Sequence, residues 1–454
     1  LETGRSSSHL LAPLALIVSI AIAAWVFHRC WFLASAGLVD SFPYFFPDSF
    51  DWINNGLYFL DAVVLGLPYE QPTIRQPIFS AIIAAAYAAG EPRLIVLAIH
   101  LAWVVVLIAS YLIAIQLRLS PLCSALVIIA LSVNHSLNSF RIYVMGDTIC
   151  QALSLLSVYF YLRSFDSTVL RSKQIVLGGT LAGLAGITQF YGLFPAIAYS
   201  TVITIRAFRN YLITPSAEKA QLKQVISWAI VNLLAAALPL ALWMLFKKLH
   251  FSSFSATSVS HFGLLKWSTN NASFYSQIWP ILFAPVLTGF VLALPFLRLA
   301  KLAQLLNQQL VFLLLIIGYF TAFTFFYQWQ ESRFTANYLP FVFIAGFTII
   351  DRLLVSRPSV IAGIILTTAV LYTSAAPTGD LMRPKLNDYL GFLSNPSSQI
   401  AEYPLIKLDR SSPTHRRLDP CLAVLHEHVT PQPNCDPYIY PNLARYFNRI
   451  NAAS

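Results

Sequence analysis

The sequence predicts an all-α polytopic membrane protein with about eleven transmembrane helices, and three observations point there. Of 454 residues, 57% are hydrophobic and only 11% are charged, with a mean hydropathy of +0.66. A water-soluble domain could not hide that much apolar side chain in one core. Apolar runs of roughly 20 residues recur along the chain, each long enough to cross a hydrocarbon layer of about 30 Å. Aromatic residues make up 14% of the chain and gather near the ends of these runs, as interfacial belts of Trp and Tyr do. The strict alternation of a membrane β-barrel is absent.

The runs fall at 10–34, 93–117, 121–138, 143–164, 174–189, 190–206, 224–246, 278–298, 308–328, 334–351 and 358–375. A shorter segment, 77–90, is expected to dip into the membrane or lie at its surface. The chain opens Leu1-Glu2-Thr3-Gly4 without a methionine, as a processed end does. The first run is too long for a signal-peptide core and is expected to be a retained span.

Charge sorts the junctions by side. Arg118; Arg163, Arg171 and Lys173; Arg206, Arg209, Lys219 and Lys223; Arg298 and Lys301; and Arg352 and Arg357 all occupy alternate junctions. One topology therefore places all of them in the cytoplasm. The N-terminus is then cytoplasmic. The first loop (35–76), the tips near 139–146 and 329–333, a loop at 247–277 and the C-terminal tail are extracytoplasmic. Two regions follow: a transmembrane part, 1–375, and a small extracytoplasmic domain, 376–454. The net charge of +10 belongs to these loops, and no basic and aromatic stripe suggests nucleic acid. Cys30, Cys123 and Cys150 lie in apolar runs as small hydrophobes. Cys421 and Cys435 lie in the polar tail, where an oxidising compartment would allow a disulfide between them.

The first loop contains "SFPYFFPDSFDWINNGLYFL", residues 41–60. Phe50, Ile53, Leu57, Leu60 and Val64 recur at spacings of three and four, which predicts an amphipathic helix with Trp52 and Tyr58 at headgroup level. Asp48 and Asp51 open it. Both suit helix capping, Asp48 as N-cap and Asp51 reaching back from the third position. Capping alone leaves unexplained the other polar residues expected on the same side: Arg75, Asp147, Gln189, Tyr191, Glu331 and Arg333. Each lies near the outer end of an apolar run, where a charge is costly unless paired or used. Asp147 could also be an N-cap, and Arg333 could snorkel or pair with Glu331.

Together they could transfer a group from an anionic lipid. A carboxylate can take the proton of an acceptor hydroxyl, and arginine can stabilise a departing phosphate. Asp48 is the plausible base, with Asp51 or Asp147 as a second acid and Arg75 and Arg333 as cations.

Four stretches resemble a known family. "FPDSFDWINNGLYFL…TIRQPIFSAIIAAAY" is similar to the first-loop pattern of the GT-C glycosyltransferases, polytopic enzymes that use polyprenyl-phosphate sugars. "MGDTICQALSLLSVYFYLR" resembles their acidic residue opening the fourth span. "GLAGITQFYGLFPAIAYS" resembles their paired helices, with Gln189 where many members carry a basic residue. "SRFTANYLPFVFIAG" resembles their Arg-aromatic-Pro signature before a late span. The resemblance covers about residues 10 to 375 and leaves the tail unmatched.

It implies that Asp48 is the catalytic base, with Asp51 its rival, and that Asp147 is an acid that supports the base or sits beside a metal. Arg75 and Arg333 would hold lipid phosphate, while Gln189, Tyr191 and Glu331 would contact substrate. Some members use a divalent metal, but no ligand cluster stands out here; His135 and His261 are single histidines on the expected outer side. The implied activity is inverting transfer of a sugar from a polyprenyl-phosphate carrier to a lipid, glycan or protein hydroxyl on the extracytoplasmic face. The alternatives are a transporter or flippase of an amphipathic lipid-linked substrate, and a non-catalytic membrane subunit of the same fold. Charges clustered at one face rather than at the midplane favour the enzyme. Asn134-His135-Ser136 and Asn271-Ala272-Ser273 match the N-glycosylation pattern on the expected outer side.

Overall fold

The computed structural model describes residues 10–35, 52, 55–56, 59, 76–89, 93–134, 137, 141, 144–165, 172–213, 215–250, 269–293, 307–327 and 332–353. These residues form thirteen α-helices and one 3₁₀ turn, with no strand among them. The helices are α1 (Leu11–Ser35), α2 (Pro77–Ala88), α3 (Leu94–Gln116), α4 (Pro121–Val133), α5 (Asp147–Phe165), α6 (Ser172–Gly186), α7 (Phe194–Ile213), α8 (Pro215–His250), α9 (Thr269–Leu282), α10 (Ala284–Ala293), α11 (Gln308–Phe326), α12 (Ser332–Ala336) and α13 (Leu339–Leu353). The 3₁₀ turn, Phe190–Leu193, joins α6 to α7. Every apolar run expected up to residue 351 contains helix. Four stretches among the described residues are long and apolar enough to cross a membrane by themselves: Leu11–Arg29, Leu94–Gln116, Ala220–Phe246 and Gln308–Phe326. The run at 358–375 and the tail domain lie outside the described residues.

Two expectations about the later chain need correction. The run expected at 278–298 is not one straight helix: α9 and α10 meet at Phe283 with a bend of 70°, the geometry of a broken span or a re-entrant pair. Pro280 and Pro285 flank that bend, and each lacks the N–H that would continue a helix ladder. The expected loop at 247–277 is partly helical, since α8 runs to His250 and α9 starts at Thr269. Asn271 is fully buried there, and its Nδ2 donates to the carbonyls of Phe325 (2.9 Å) and Tyr327 (2.6 Å), closing the end of α11. Asn134, the C-cap of α4, is also fully buried and accepts from Leu137 N. Neither sequon offers an accessible amide in this fold.

Alternate junctions meet at opposite ends of the bundle. At the end expected to be cytoplasmic, α3 closes with Arg118 in the left-handed region (φ 58°), and Leu119 N returns to Ala114 O at 3.0 Å. Ser120 then caps α4, with Pro121 at its first position. Asp351, near the end of α13, accepts from both Ser120 N (2.8 Å) and Ser120 Oγ (2.5 Å). This carboxylate ties the α3–α4 corner to the last described helix. Asp351→Ala is expected to cost about 2 kcal/mol, because hydrogen bonds to a charged acceptor exceed neutral ones. Thermal unfolding in detergent would show it, and a non-additive Ser120→Ala/Asp351→Ala pair would confirm the coupling.

The middle of the bundle is joined through the small face of α6. Gly179 and Gly183 are four residues apart, and both approach α8. A Cβ at Gly179 would lie 2.8 Å from the Asn232 carbonyl oxygen; one at Gly183 would collide with that of Ala236 and lie 2.9 Å from Pro239 Cγ. Close backbone approach of this kind drives helix association where lipid removes the hydrophobic driving force. Asn232 binds the seam from α8: it accepts from Tyr161 Oη on α5 (2.6 Å) and donates to Ala196 O (3.0 Å) and Ser200 Oγ (2.9 Å) on α7. A fully satisfied polar group of this kind specifies one packing arrangement.

Candidate functional site

At the opposite end of the bundle, three elements converge on Asp147. Asp147 is the first residue of α5 and only 2% exposed. As an N-cap its carboxylate would accept from the N–H groups of its own first turn. Instead, Oδ1 accepts from Tyr191 Oη at 2.7 Å and from Asn337 Nδ2 at 2.9 Å. Tyr191 comes from the 3₁₀ turn and Asn337 from the short link between α12 and α13. Asn337 Nδ2 also donates to Tyr191 Oη at 2.7 Å, closing a three-membered cluster. Asp147 Oδ2 is buried and makes no hydrogen bond to any of the described residues. A buried carboxylate oxygen without a donor is costly, and such groups concentrate at functional sites.

Surrounding packing fixes this cluster. The Tyr191 ring lies 5.6 Å from Phe320 and 6.0 Å from Phe323 on α11. From α9, Trp279 Nε1 donates to Thr335 Oγ1 at 3.2 Å, just before Asn337. Gln151, one turn along α5, donates to Ala336 O at 3.0 Å and to Asn337 Oδ1 at 3.4 Å.

Of the expected site residues, the fold brings Asp147 and Tyr191 into direct contact. Gln189 is half-buried beside them and contributes its backbone carbonyl, which accepts from Gly192 N at 2.8 Å. Arg333 lies on α12, four residues before Asn337. Its side chain, Glu331, Asp48, Asp51, Arg75, Cys421 and Cys435 lie outside what the structure describes.

The first loop is nevertheless tied to this end. Trp52, the residue after Asp51, is fully buried rather than at headgroup level, and its ring meets Phe79 of α2 edge-on at 5.1 Å. Phe79 also covers Gly146, where a Cβ would lie 3.3 Å from that of Phe79. Gly56, one turn on from Trp52, packs so closely on Ile83 that no side chain fits. Trp52, Phe79 and Gly146 thus link the acidic stretch of the first loop to the residue preceding Asp147.

Sequence reasoning missed three residues here. Asn337 and Gln151 are neutral amides that look like turn and surface positions. Their signal was position, four residues after Arg333 and four after Asp147. The third, Arg141, is 2% exposed with its guanidinium 5.4 Å from the Trp103 ring centroid, a buried cation six residues before Asp147.

The fold that carries these residues recurs in solved structures. ArnT from Cupriavidus metallidurans, solved with undecaprenyl phosphate bound, aligns with a TM-score of 0.54 over 96% of this chain and 75% of its own, at 12% identity. The chain has the GT-C fold. The same ArnT in its apo state aligns at a TM-score of 0.53 over 95% and 76% of the two chains, also at 12% identity. An Archaeoglobus fulgidus oligosaccharyltransferase tethered to an acceptor peptide gives a TM-score of 0.43 at 13% identity, over 96% of this chain and 63% of its own, too loose a likeness to carry more. No family model and no curated protein matches the sequence. At such identity the GT-C likeness is one of fold, so the chemistry must come from this chain's own residues.

Proposed function

We propose that the chain is an integral membrane glycosyltransferase that moves a sugar from a polyprenyl-phosphate carrier to a lipid, glycan or protein hydroxyl on the extracytoplasmic face. The observation that carries this is the buried Asp147 carboxylate, with Oδ1 held by two donors and Oδ2 bare, at the end of a GT-C fold to which the first loop is anchored.

The step is a single inverting displacement. The acceptor oxygen attacks the anomeric carbon while the carbon–oxygen bond to phosphate breaks, and the electron pair leaves on the polyprenyl phosphate. Asp48 takes the proton of the acceptor hydroxyl, with Asp51 the rival for that role. Arg75 and Arg333 stabilise the phosphate, and the buried Arg141 adds a cation at the same end. Gln189, Tyr191 and Glu331 line the substrate. A divalent metal would find one ligand in Asp147 Oδ2, but among the described residues no group of three His, Cys, Asp or Glu stands together. Those residues do not make a metal centre by themselves, and no step runs through one.

The test is sugar transfer from radiolabelled undecaprenyl-phosphate sugars by purified protein in lipid, with Asp48→Asn and Asp51→Asn alongside. Turnover of one donor establishes the class, and the variant that loses turnover identifies the base. Carrier binding without transfer across a broad acceptor set would point to a non-catalytic subunit. Absence of binding would sink the proposal and direct attention to transport.

A further inference from the structure

Gln151 and Asn337 have no part in the chemistry above, yet they decide how Asp147 presents itself. The sequence of hydrogen bonds has a forced direction. The Ala336 carbonyl can only accept, so the Gln151 group facing it at 3.0 Å is the NH₂. The same nitrogen faces Asn337 Oδ1 at 3.4 Å, which fixes the carbonyl side of that amide. Asn337 must then turn its NH₂ towards Tyr191 Oη and Asp147 Oδ1. Tyr191, having accepted from Asn337, has one proton to give, and it goes to Asp147 Oδ1 at 2.7 Å. Both donors that reach Asp147, Tyr191 Oη and Asn337 Nδ2, end on Oδ1, and no described residue donates to Oδ2.

We infer that the positioning residues Gln151 and Asn337, acting through Tyr191, form a one-way relay that reserves Asp147 Oδ2 for a hydroxyl or ammonium donor on the sugar of a lipid-linked carrier. This rests on the reading that the ligand is such a carrier. The chemistry favours the sugar over the rest of that molecule. A sugar offers several O–H donors, whereas a phosphate offers acceptors and negative charge, which a bare carboxylate oxygen repels. The contact therefore distinguishes the loaded carrier from the spent one. Once the sugar has gone, the polyprenyl phosphate left behind has nothing to give Oδ2, and its release is favoured.

The experiment measures dissociation constants for undecaprenyl phosphate and for undecaprenyl-phosphate pentoses and hexoses, with the full chain in nanodiscs and no acceptor present. Wild-type protein is expected to prefer one loaded carrier over the bare one. Asn337→Leu and Gln151→Glu are each expected to cut that preference by about tenfold, the scale of a lost hydrogen bond to a charged group. Gln151→Glu matters most, because it keeps the shape of the side chain but removes the donor that sets the relay's direction. Binding of undecaprenyl phosphate is the folding control for both variants. Should the preference survive Gln151→Glu in protein that passes this control, the relay is overturned while the carrier reading stands. A preference unchanged in Asn337→Leu with a raised KM for the acceptor would also overturn it, assigning Oδ2 to the acceptor. If wild-type protein binds neither carrier, the carrier reading fails and the relay's ligand fails with it.

Discussion

Asp147→Asn is expected to lower sugar transfer by about 10²–10³-fold while leaving the protein folded. That range is typical when a buried group loses its electrostatic or hydrogen-bonding match to a reacting ligand. The fold survives because an asparagine carbonyl can take the place of Oδ1 and still accept from Tyr191 and Asn337. The activity does not, because an NH₂ group then stands where Oδ2 was and meets a ligand donor with another donor. Asp147→Leu behaves differently: it removes the charged acceptor shared by two buried donors, a loss of about 1–3 kcal/mol, so both stability and activity fall. Measuring transfer rate and thermal midpoint on both variants separates the two effects. An Asp147→Asn protein with wild-type kcat and KM would remove Asp147 from the proposed site.

Gly183→Val is the second large effect, and it is one of assembly. The new side chain would drive into the backbone of α8 at Ala236 and against the ring of Pro239. Neither can retreat by changing rotamer, and α8 is also tied to α5 and α7 through Asn232. Overpacking of this type costs about 3 kcal/mol, seen as a lower thermal midpoint and a reduced yield of folded protein. Gly318 on α11 is the internal control, since a Cβ there meets nothing within 4 Å. Gly318→Ala is expected to change stability by no more than about 1 kcal/mol. Similar losses in the two variants would mean that the α6–α8 seam is not close-packed.

The helices were legible in the sequence because hydropathy reports directly on burial in lipid, and junction charge on which junctions share an end. The sorting agrees with contacts: Ser120 meets Asp351 at one end, and Asp147 meets Asn337 at the other. Asp147 and Tyr191 were legible as polar groups placed where apolar runs end. Asn337 and Gln151 were not, since their importance lies in partners on another helix, which periodicity along one helix cannot report. Trp52 was expected at headgroup level on the amphipathic pattern of its own helix, but α2 covers it through Phe79. The bend at Phe283 escaped a hydropathy window that averages across Pro280 and Pro285. The sequons at Asn134 and Asn271 failed for a related reason: a three-residue pattern carries no information on accessibility.

The length of α8 sets the depth at which all this happens. At about 1.5 Å per residue, its 36 residues run for roughly 54 Å, more than a hydrocarbon layer needs. Leu234, Leu238, Leu242, Leu245 and Leu249 stay exposed along it, marking the face that lipid wets. Leu240 is level with the end of α6, where a Cβ at Gly186 would touch both it and Leu193 of the Tyr191 turn. From Leu240 the greasy stripe continues nine residues to Leu249, about 13 Å along the helix. The Tyr191 turn, which holds Asp147 through Oδ1, therefore lies well short of the far end of that stripe.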